Sequence, residues 1–159
     1  MMLSDYFSLI IGIIGVITGV SGMIVSIRSF YHNRIDALNM YFSYARDSDF
    51  IKGRRLVYNL EHNVVIDESC DEIISITLAC LMNAYQHWGM LLKHKQLPFW
   101  IFYNRKTGVT ASGIAVIRTY NKLRPTIDYY RNKNPKYADS YTYLYDRIVK
   151  KCPEYKNFE

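Results

Sequence analysis

The side chains of this chain best suited to bind an anion are the arginines Arg54, Arg55 and Arg131. A guanidinium is planar and donates paired hydrogen bonds to a phosphate or a carboxylate. Three arginines that converged in the folded chain would form an anion-binding or ion-pair cluster. The alternative is that they face solvent or pair with acids of neighbouring helices. We favour this alternative, since exposed arginines commonly form such weak pairs.

The residues that could form a metal or catalytic site do not have the spacing that such a site needs. Four acidic residues stand close together: Asp67, Glu68, Asp71 and Glu72. No histidine lies at the i+3 spacing of a di-iron motif, and the favourable charge of a helix start explains these acids. His87 and His94 have no nearby third ligand, and Ser69 and Cys70 have no base at a suitable spacing. The sequence therefore predicts no catalytic residue, metal or cofactor.

The basic composition permits a nucleic-acid interface as an alternative function. The chain has a formal net charge of +6 and fifteen tyrosines. Basic and aromatic residues alternate in one segment: Tyr120, Lys122, Arg124, Tyr129, Tyr130, Arg131, Lys133, Lys136 and Tyr137. Such a segment could stack bases and bind their phosphates. Most of these tyrosines, however, fall on helix faces that the apolar pattern predicts to be buried, so nucleic acid is the less favoured partner.

The elements that position these residues begin with an uncharged run at residues 6–27. The hydrocarbon core of a bilayer, about 30 Å thick, needs about 20 helical residues, so the run is long enough to span it. Small residues recur along one helix face at steps of four and three, forming a glycine seam: Ser8, Gly12, Gly15, Gly19, Gly22 and Ser26. Small residues permit the close approach that drives helix association in lipid. The run therefore predicts a transmembrane helix that forms a homo-oligomer or pairs with a partner helix.

The charges on either side of the run predict its orientation. Only Met-Met-Leu-Ser-Asp precedes it, whereas Arg28, Arg34 and further basic residues follow. The positive-inside rule then places the N-terminus outside a bacterial inner membrane and residues 30–159 in the cytoplasm. Three cysteines without metal-ligand spacing agree with reduced, mostly buried thiols of a cytoplasmic domain: Cys70, Cys80 and Cys152.

The rest of the chain predicts an all-α fold. Residues 1–29 form the anchor, and the transmembrane helix continues into a cytoplasmic bundle of about four to five helices at residues 30–159. Five residues at helical spacing predict the apolar stripe of the first soluble helix: Tyr31, Ile35, Leu38, Phe42 and Ala45. Asp47 and Ser48 should cap a short helix that ends near Leu60. Asp67 and Glu68 should begin a long helix, and Pro125 should kink or restart a later one. A last helix, from about Lys136 to Lys151, should turn four residues inward: Tyr141, Leu144, Tyr145 and Ile148. An aromatic run at residues 99–103 leads to a turn at residues 106–108.

Three segments of the bundle carry a resemblance to a known family. They are residues 54–58 (Arg-Arg-Leu-Val-Tyr), 81–85 (Leu-Met-Asn-Ala-Tyr) and 123–131 (Leu-Arg-Pro-Thr-Ile-Asp-Tyr-Tyr-Arg), with Tyr137 and Leu144 beyond. With the N-terminal membrane helix, this layout resembles a family of small bacterial proteins known as a domain of unknown function (number 4760). The chain departs from it at Tyr120, where a tryptophan is expected. The resemblance implies a helical domain anchored in the inner membrane and supplies no catalytic residue.

The function predicted from the sequence is that of a non-enzymatic, membrane-anchored helical protein. It would oligomerise through the membrane helix or dock a protein partner in the cytoplasm, as a membrane effector of bacterial stress or phage defence does. A membrane-tethered nucleic-acid-binding module and an uncharacterised hydrolase are the alternatives.

Overall fold

The computed structural model describes residues 3–61, 64–67, 71–156 and 158, with side chains from residue 11 onward. The elements in chain order are α1 (Leu3–Arg46), α2 (Ser48–Tyr58), α3 (Glu72–Lys93), a 3-10 turn (Phe99–Ile101), β1 (Tyr103–Asn104), β2 (Gly108–Val109), α4 (Ala111–Lys133), α5 (Asp139–Val149) and a final 3-10 turn (Pro153–Tyr155). The two short strands pair as an antiparallel hairpin. The prediction of an all-α fold with a long N-terminal helix is confirmed.

The chain divides into two compact units, residues 1–36 and residues 37–159. The division lies inside helix α1. The anchor boundary at residue 29 stays a prediction. The first unit is helical wherever it is described. The second unit contains the end of α1 and all the other helices, and it holds the hydrophobic core of the chain's described part.

Side chains of aspartate begin two of the helices. Asp47 accepts hydrogen bonds from the backbone N–H groups of Asp49 and Phe50, both at 2.9 Å, as the sequence predicted for the start of α2. Asp71 accepts from the N–H of Ile73 at 2.8 Å and begins α3. The predicted start of α3 near Asp67 was therefore too early, because Asp71 supplies the N-cap.

Tyrosine rings fill the centre of the second unit. Tyr85 and Tyr141 are fully buried and stack with ring centroids 4.8 Å apart. Tyr120 stacks on Tyr145 at 4.1 Å. Each phenol reaches a partner: that of Tyr141 donates to the carbonyl of Val116 at 3.2 Å, for example. A buried hydroxyl without a partner would destabilise the fold, so these hydrogen bonds allow a core rich in tyrosine.

The face of α1 that enters the core is only partly the predicted one, because Leu38 packs against the core as expected whereas Phe42 does not. Phe42 is 46% exposed, whereas Tyr41 is buried. The ring of Tyr41 lies 4.7 Å from that of Trp88, and its hydroxyl is 2.5 Å from the hydroxyl of Ser112. These partners come from distant segments, so the local stripe through Phe42 could not reveal them.

Two backbone features complete the bundle. Of the kink or restart predicted at Pro125, the restart is wrong, because helix α4 continues through this residue. Helix α3 ends with Lys95 in the left-handed region at φ 60°, and the N–H groups of Lys95 and Gln96 donate to the carbonyls of Leu92 and Leu91. This is the Schellman pattern of helix ends, which normally favours glycine at the left-handed position.

Candidate functional site

The glycine seam presents bare backbone on the surface of α1. A methyl group placed on Gly12, Gly15, Gly19 or Gly22 would meet no other atom within 4 Å. The side chain of Ser8, the first residue of the predicted seam, lies outside the described residues. The described glycines therefore leave room for another helix to approach closely.

The hydroxyl groups near the seam are satisfied within the helix. Thr18 donates to the carbonyls of Ile14 and Gly15, at 2.8 and 3.0 Å. Ser26, the last residue of the seam, donates to the carbonyl of Gly22 at 2.8 Å. Because these hydroxyls need no water, the helix surface suits an apolar surrounding.

Apolar side chains cover the rest of this segment. Between 46% and 67% of the surface of each is exposed: Ile11, Ile13, Ile14, Val16, Ile17, Val20, Met23, Ile24, Val25 and Ile27. Soluble proteins rarely expose a continuous apolar surface of this extent. The helix is long and apolar enough to cross a membrane, and none of its apolar window is buried. A core helix of a soluble protein would be mostly buried.

The three arginines of the predicted anion cluster lie on two helices. On α2, the guanidinium of Arg54 lies 6.0 Å from the ring centre of Phe50, and Arg55 is exposed. On α4, Arg131 donates to the carbonyl of Tyr137 at 3.1 Å and to the hydroxyl of Thr142 at 2.6 Å. Arg131 also lies 3.7 Å from a carboxylate oxygen of Asp139 on α5. Within the described parts of the chain, no contact joins Arg131 to the other two arginines.

The acidic and imidazole side chains are separated in the fold. Asp71 serves as the N-cap of α3, Asp67 is half-buried, and Glu68, Ser69 and Cys70 lie outside the described residues. His87 packs its ring edge-on against Tyr44 at 6.0 Å, whereas His94 is exposed at the end of α3. Among the residues that the structure describes, no three potential metal ligands form a group.

Cations of the segment considered for nucleic acid contact the protein itself. Lys122 donates to the carbonyl of Leu60 at 3.0 Å, and Arg124 lies 3.9 Å from a carboxylate oxygen of Asp128. The ammonium of Lys133 lies 5.0 Å from the ring centre of Tyr129. These intramolecular contacts leave less of the segment's charge and ring surface open to a ligand.

Burial raises the pKa of several groups and keeps them protonated. It raises the pKa of the phenols of Tyr85 and Tyr141 above the ordinary value of 10. Burial, with Glu154 nearby, also raises the pKa of the Cys152 thiol. A thiol with a raised pKa is a poor nucleophile at neutral pH. Cys152 is buried as predicted for the cysteines, whereas Cys80 is exposed.

One concave surface of the domain was not predicted from the sequence. We call it the aromatic–cationic groove. Its volume is about 540 Å³, and aromatic and cationic side chains form most of its wall: Phe99, Trp100, Tyr103, Arg105, Arg147 and Lys151. The aromatic run at residues 99–103 was visible in the sequence. The cations of α5 and the turn after it lie more than 40 residues further on, so no local spacing connected them to the run.

No model of a protein family, no curated protein and no solved structure matches this chain. The resemblance to the family of unknown function therefore stays a prediction.

Proposed function

We propose that this chain is a single-pass membrane protein whose membrane helices assemble along the glycine seam, while the domain at residues 37–159 docks a partner. The observation that carries the proposal is the exposed segment from Ile11 to Ile27. It combines apolar side chains, satisfied hydroxyls and bare glycine backbone on one continuous helix.

Energetics support insertion into a bilayer. Each Ile or Val near the centre of a membrane helix favours insertion by about 0.3–0.6 kcal/mol, so the exposed apolar side chains together contribute several kcal/mol. A single lysine or arginine at the centre would oppose insertion by about 3 kcal/mol, and residues 6–27 contain none. In water, the same surface would drive aggregation.

The glycine seam supports the proposal that the membrane helices associate with one another and do not merely anchor the domain. Glycine destabilises a helix by about 1 kcal/mol relative to alanine, so four glycines in one segment need a compensating role. Lipid-facing helices associate by close packing, and the open space beside Gly15 and Gly19 permits it. We propose a homo-oligomer as the product.

The proposed membrane is the bacterial inner membrane, with the N-terminus outside and residues 37–159 in the cytoplasm. Arg28, Arg34 and Arg46 follow the apolar run, and no lysine or arginine lies in residues 1–5. This asymmetry favours retention of the following domain in the cytoplasm. The resemblance to a bacterial family of unknown function agrees with this location.

The specific role that we propose is that of a membrane effector in bacterial stress or phage defence. In this role, docking of a partner on the domain would promote assembly of the membrane helices, and the assembled helices would disturb the bilayer. The proposal requires no catalytic residue in the domain.

The test compares the full chain with a variant that fills the seam, Gly15→Ile/Gly19→Ile. Sedimentation and cross-linking in mild detergent should show oligomers for the wild type and monomers for the variant. Ser21→Ile is the control, because it also introduces an isoleucine in place of a small residue, but on a helix face away from the seam. We expect Ser21→Ile to assemble like the wild type.

Overexpression tests the effector role in cells. The wild type and Ser21→Ile should arrest growth and admit a membrane-impermeant dye, and the seam variant should do neither. Equal assembly of all three proteins would contradict the role of the seam. A full chain that stays monodisperse in the supernatant without detergent would contradict the membrane location itself.

A further inference from the structure

The aromatic–cationic groove has the size of a small-molecule site. Its volume of about 540 Å³ lies within the range of about 300–1,000 Å³ that is usual for ligand pockets. Its wall comes from the first 3-10 turn, the β hairpin and the end of α5, all within residues 37–159. The groove therefore needs neither the glycine seam nor a membrane for its construction.

The cations of the groove lack acidic partners. Arg105, Arg147 and Lys151 line it together, and no carboxylate lines it with them. None of the three forms an ion pair with any of the residues described. In contrast, Arg124 and Arg131 each lie near an aspartate. Three neighbouring cations without a counter-charge favour an anionic ligand of more than one negative charge.

One of these cations is already held in place. Arg147 donates a hydrogen bond to the hydroxyl of Tyr143 at 2.7 Å, and its guanidinium lies 5.0 Å from the ring centre of Phe99. A guanidinium has five N–H donors, so most remain for a ligand. Because these contacts orient the exposed guanidinium before binding, less conformational entropy is lost when a phosphate arrives.

The groove also offers a free aromatic face. Trp100 is 59% exposed, and its indole has no ring or cation partner in the described part of the chain. Phe99, by contrast, already contacts the ring of Tyr103 and the guanidinium of Arg147. An exposed indole beside a multiply charged cationic patch matches a ligand that joins a planar ring to phosphates.

The hairpin contributes polar groups at the same place. The side-chain oxygen of Asn104 accepts a hydrogen bond from the N–H of Lys106 at 2.8 Å, which fixes the turn that carries Arg105. The side-chain N–H₂ of Asn104 remains available as a donor to the edge of a ring. The groove thus combines a stacking surface, a donor for a ring edge and three cations.

We infer that the aromatic–cationic groove binds a nucleoside phosphate, with the base stacked on Trp100 and the phosphates held by Arg105, Arg147 and Lys151. The inference is independent of the function proposed for the membrane helix. It assigns a small-molecule ligand to the domain.

The experiment uses the full chain in detergent and measures ATP binding by equilibrium dialysis and tryptophan emission. Adenosine and inorganic triphosphate supply the ring and the phosphates separately. ATP should bind at least about ten-fold more tightly than either, since it alone engages both parts of the groove. Emission should fall on binding, because Trp88 is buried and Trp100 is the tryptophan within reach.

Variants separate the two halves of the groove. Trp100→Ala and Arg147→Ala should each weaken ATP binding about ten-fold, equivalent to about 1.4 kcal/mol. Trp100→Phe keeps a stacking ring, so it should bind ATP while losing the emission change. Lys150→Ala is the control, because Lys150 is exposed beside Lys151 but does not line the groove. Its ATP affinity should match that of the wild type.

Three outcomes would overturn the inference. Equal affinity for inorganic triphosphate and ATP would show an anion site without recognition of a base. For the full chain reconstituted into bilayers, emission that differs between phosphatidylglycerol and phosphatidylcholine, but does not change with ATP, would show contact with a lipid surface instead. Unchanged ATP binding by Trp100→Ala and Arg147→Ala would place the ligand elsewhere.

Discussion

Substitution of Gly89 by alanine should destabilise the domain strongly, because α3 and α5 cross there with no room for a side chain. A Cβ atom at Gly89 would lie 1.8 Å from the backbone oxygen of Ser140 and 2.4 Å from its carbonyl carbon. Cβ atoms in proteins essentially never approach atoms of other residues within 3.0 Å. The backbone at Ser140 would therefore have to move by more than an ångström.

Movement of the backbone at Ser140 would disturb neighbouring contacts and so lower the free energy of unfolding. The N–H of Tyr141 donates to the side-chain oxygen of Gln86 at 2.9 Å, and its buried ring stacks on Tyr85. Overpacking costs about 1–3 kcal/mol, and a buried N–H that loses its acceptor costs about as much. Alanine has a higher helix propensity than glycine, which offsets about 1 kcal/mol of this loss at position 89. The net loss in the free energy of unfolding should be about 3 kcal/mol.

Thermal unfolding of the full chain in mild detergent measures this loss, with the near-ultraviolet circular dichroism of the buried Trp88 as the signal. A loss of about 3 kcal/mol should lower the Tm of a domain of this size by about 10 °C. Gly53→Ala should lower it less, since a Cβ there would lie 2.9 Å from the carbonyl oxygen of Thr77. Gly15→Ala should leave it unchanged, because nothing lies within 4 Å. A Gly89→Ala protein as stable as the wild type would refute the steric argument.

Two further predictions concern the same domain. Lys95→Gly should raise the free energy of unfolding by about 1 kcal/mol, because it relieves a left-handed residue. Lys93→Gly, at the last residue of α3, should instead lower it, by up to about 1 kcal/mol. Urea unfolding measures both changes, and equal effects would contradict the argument. Burial raises the pKa of the Tyr85 and Tyr141 phenols above 10, so the unfolded chain releases those protons first. The contribution of the two phenols to the free energy of unfolding is therefore full below pH 10. Above pH 10 it falls by about 1.4 kcal/mol per pH unit for each phenol. Urea unfolding on either side of pH 10 checks this, and Tyr141→Phe should reduce the slope.

Helix α5 shows which part of the fold the sequence predicted well. Four apolar and aromatic residues at helical spacing were expected on its inner face, and all are buried: Tyr141, Leu144, Tyr145 and Ile148. The start of α2 at Asp47 was equally clear. Periodicity and capping are local signals, so they can be read without knowledge of the tertiary partners.

The face of α1 and the start of α3 show where local signals failed. Tyr41 is buried because Trp88, Phe102 and Ser112 surround it, and all three come from distant elements. The sequence placed the start of α3 at Asp67 and Glu68, whereas the structure has Asp71 as the N-cap, four residues later than Asp67. Which face of a helix is buried depends on tertiary packing, and packing overrides a weak local preference of the sequence.

The glycine seam and the aromatic–cationic groove also differ in how far the sequence alone indicates them. The glycine seam depends on spacing within one helix and was therefore predictable as a pattern. The groove joins Trp100 and Arg105 to Lys151, and the β hairpin and the end of α5 bring them together. Because these residues lie far apart in the sequence, no local motif indicates that they come together.

The high tyrosine content is explained by the core of the domain, so it does not indicate a ligand-binding surface. A buried phenol needs a partner, and Thr119 and Thr142 face the hydroxyls of Tyr85 and Tyr120 at 3.4 and 3.0 Å. Because those rings and hydroxyls are already paired inside the domain, tyrosine content alone is no argument for base stacking. A ligand-binding ring must instead be exposed, lack internal partners and lie beside unpaired cations. Among the described aromatic residues of the groove, Trp100 meets these conditions, which is why the test of binding begins there.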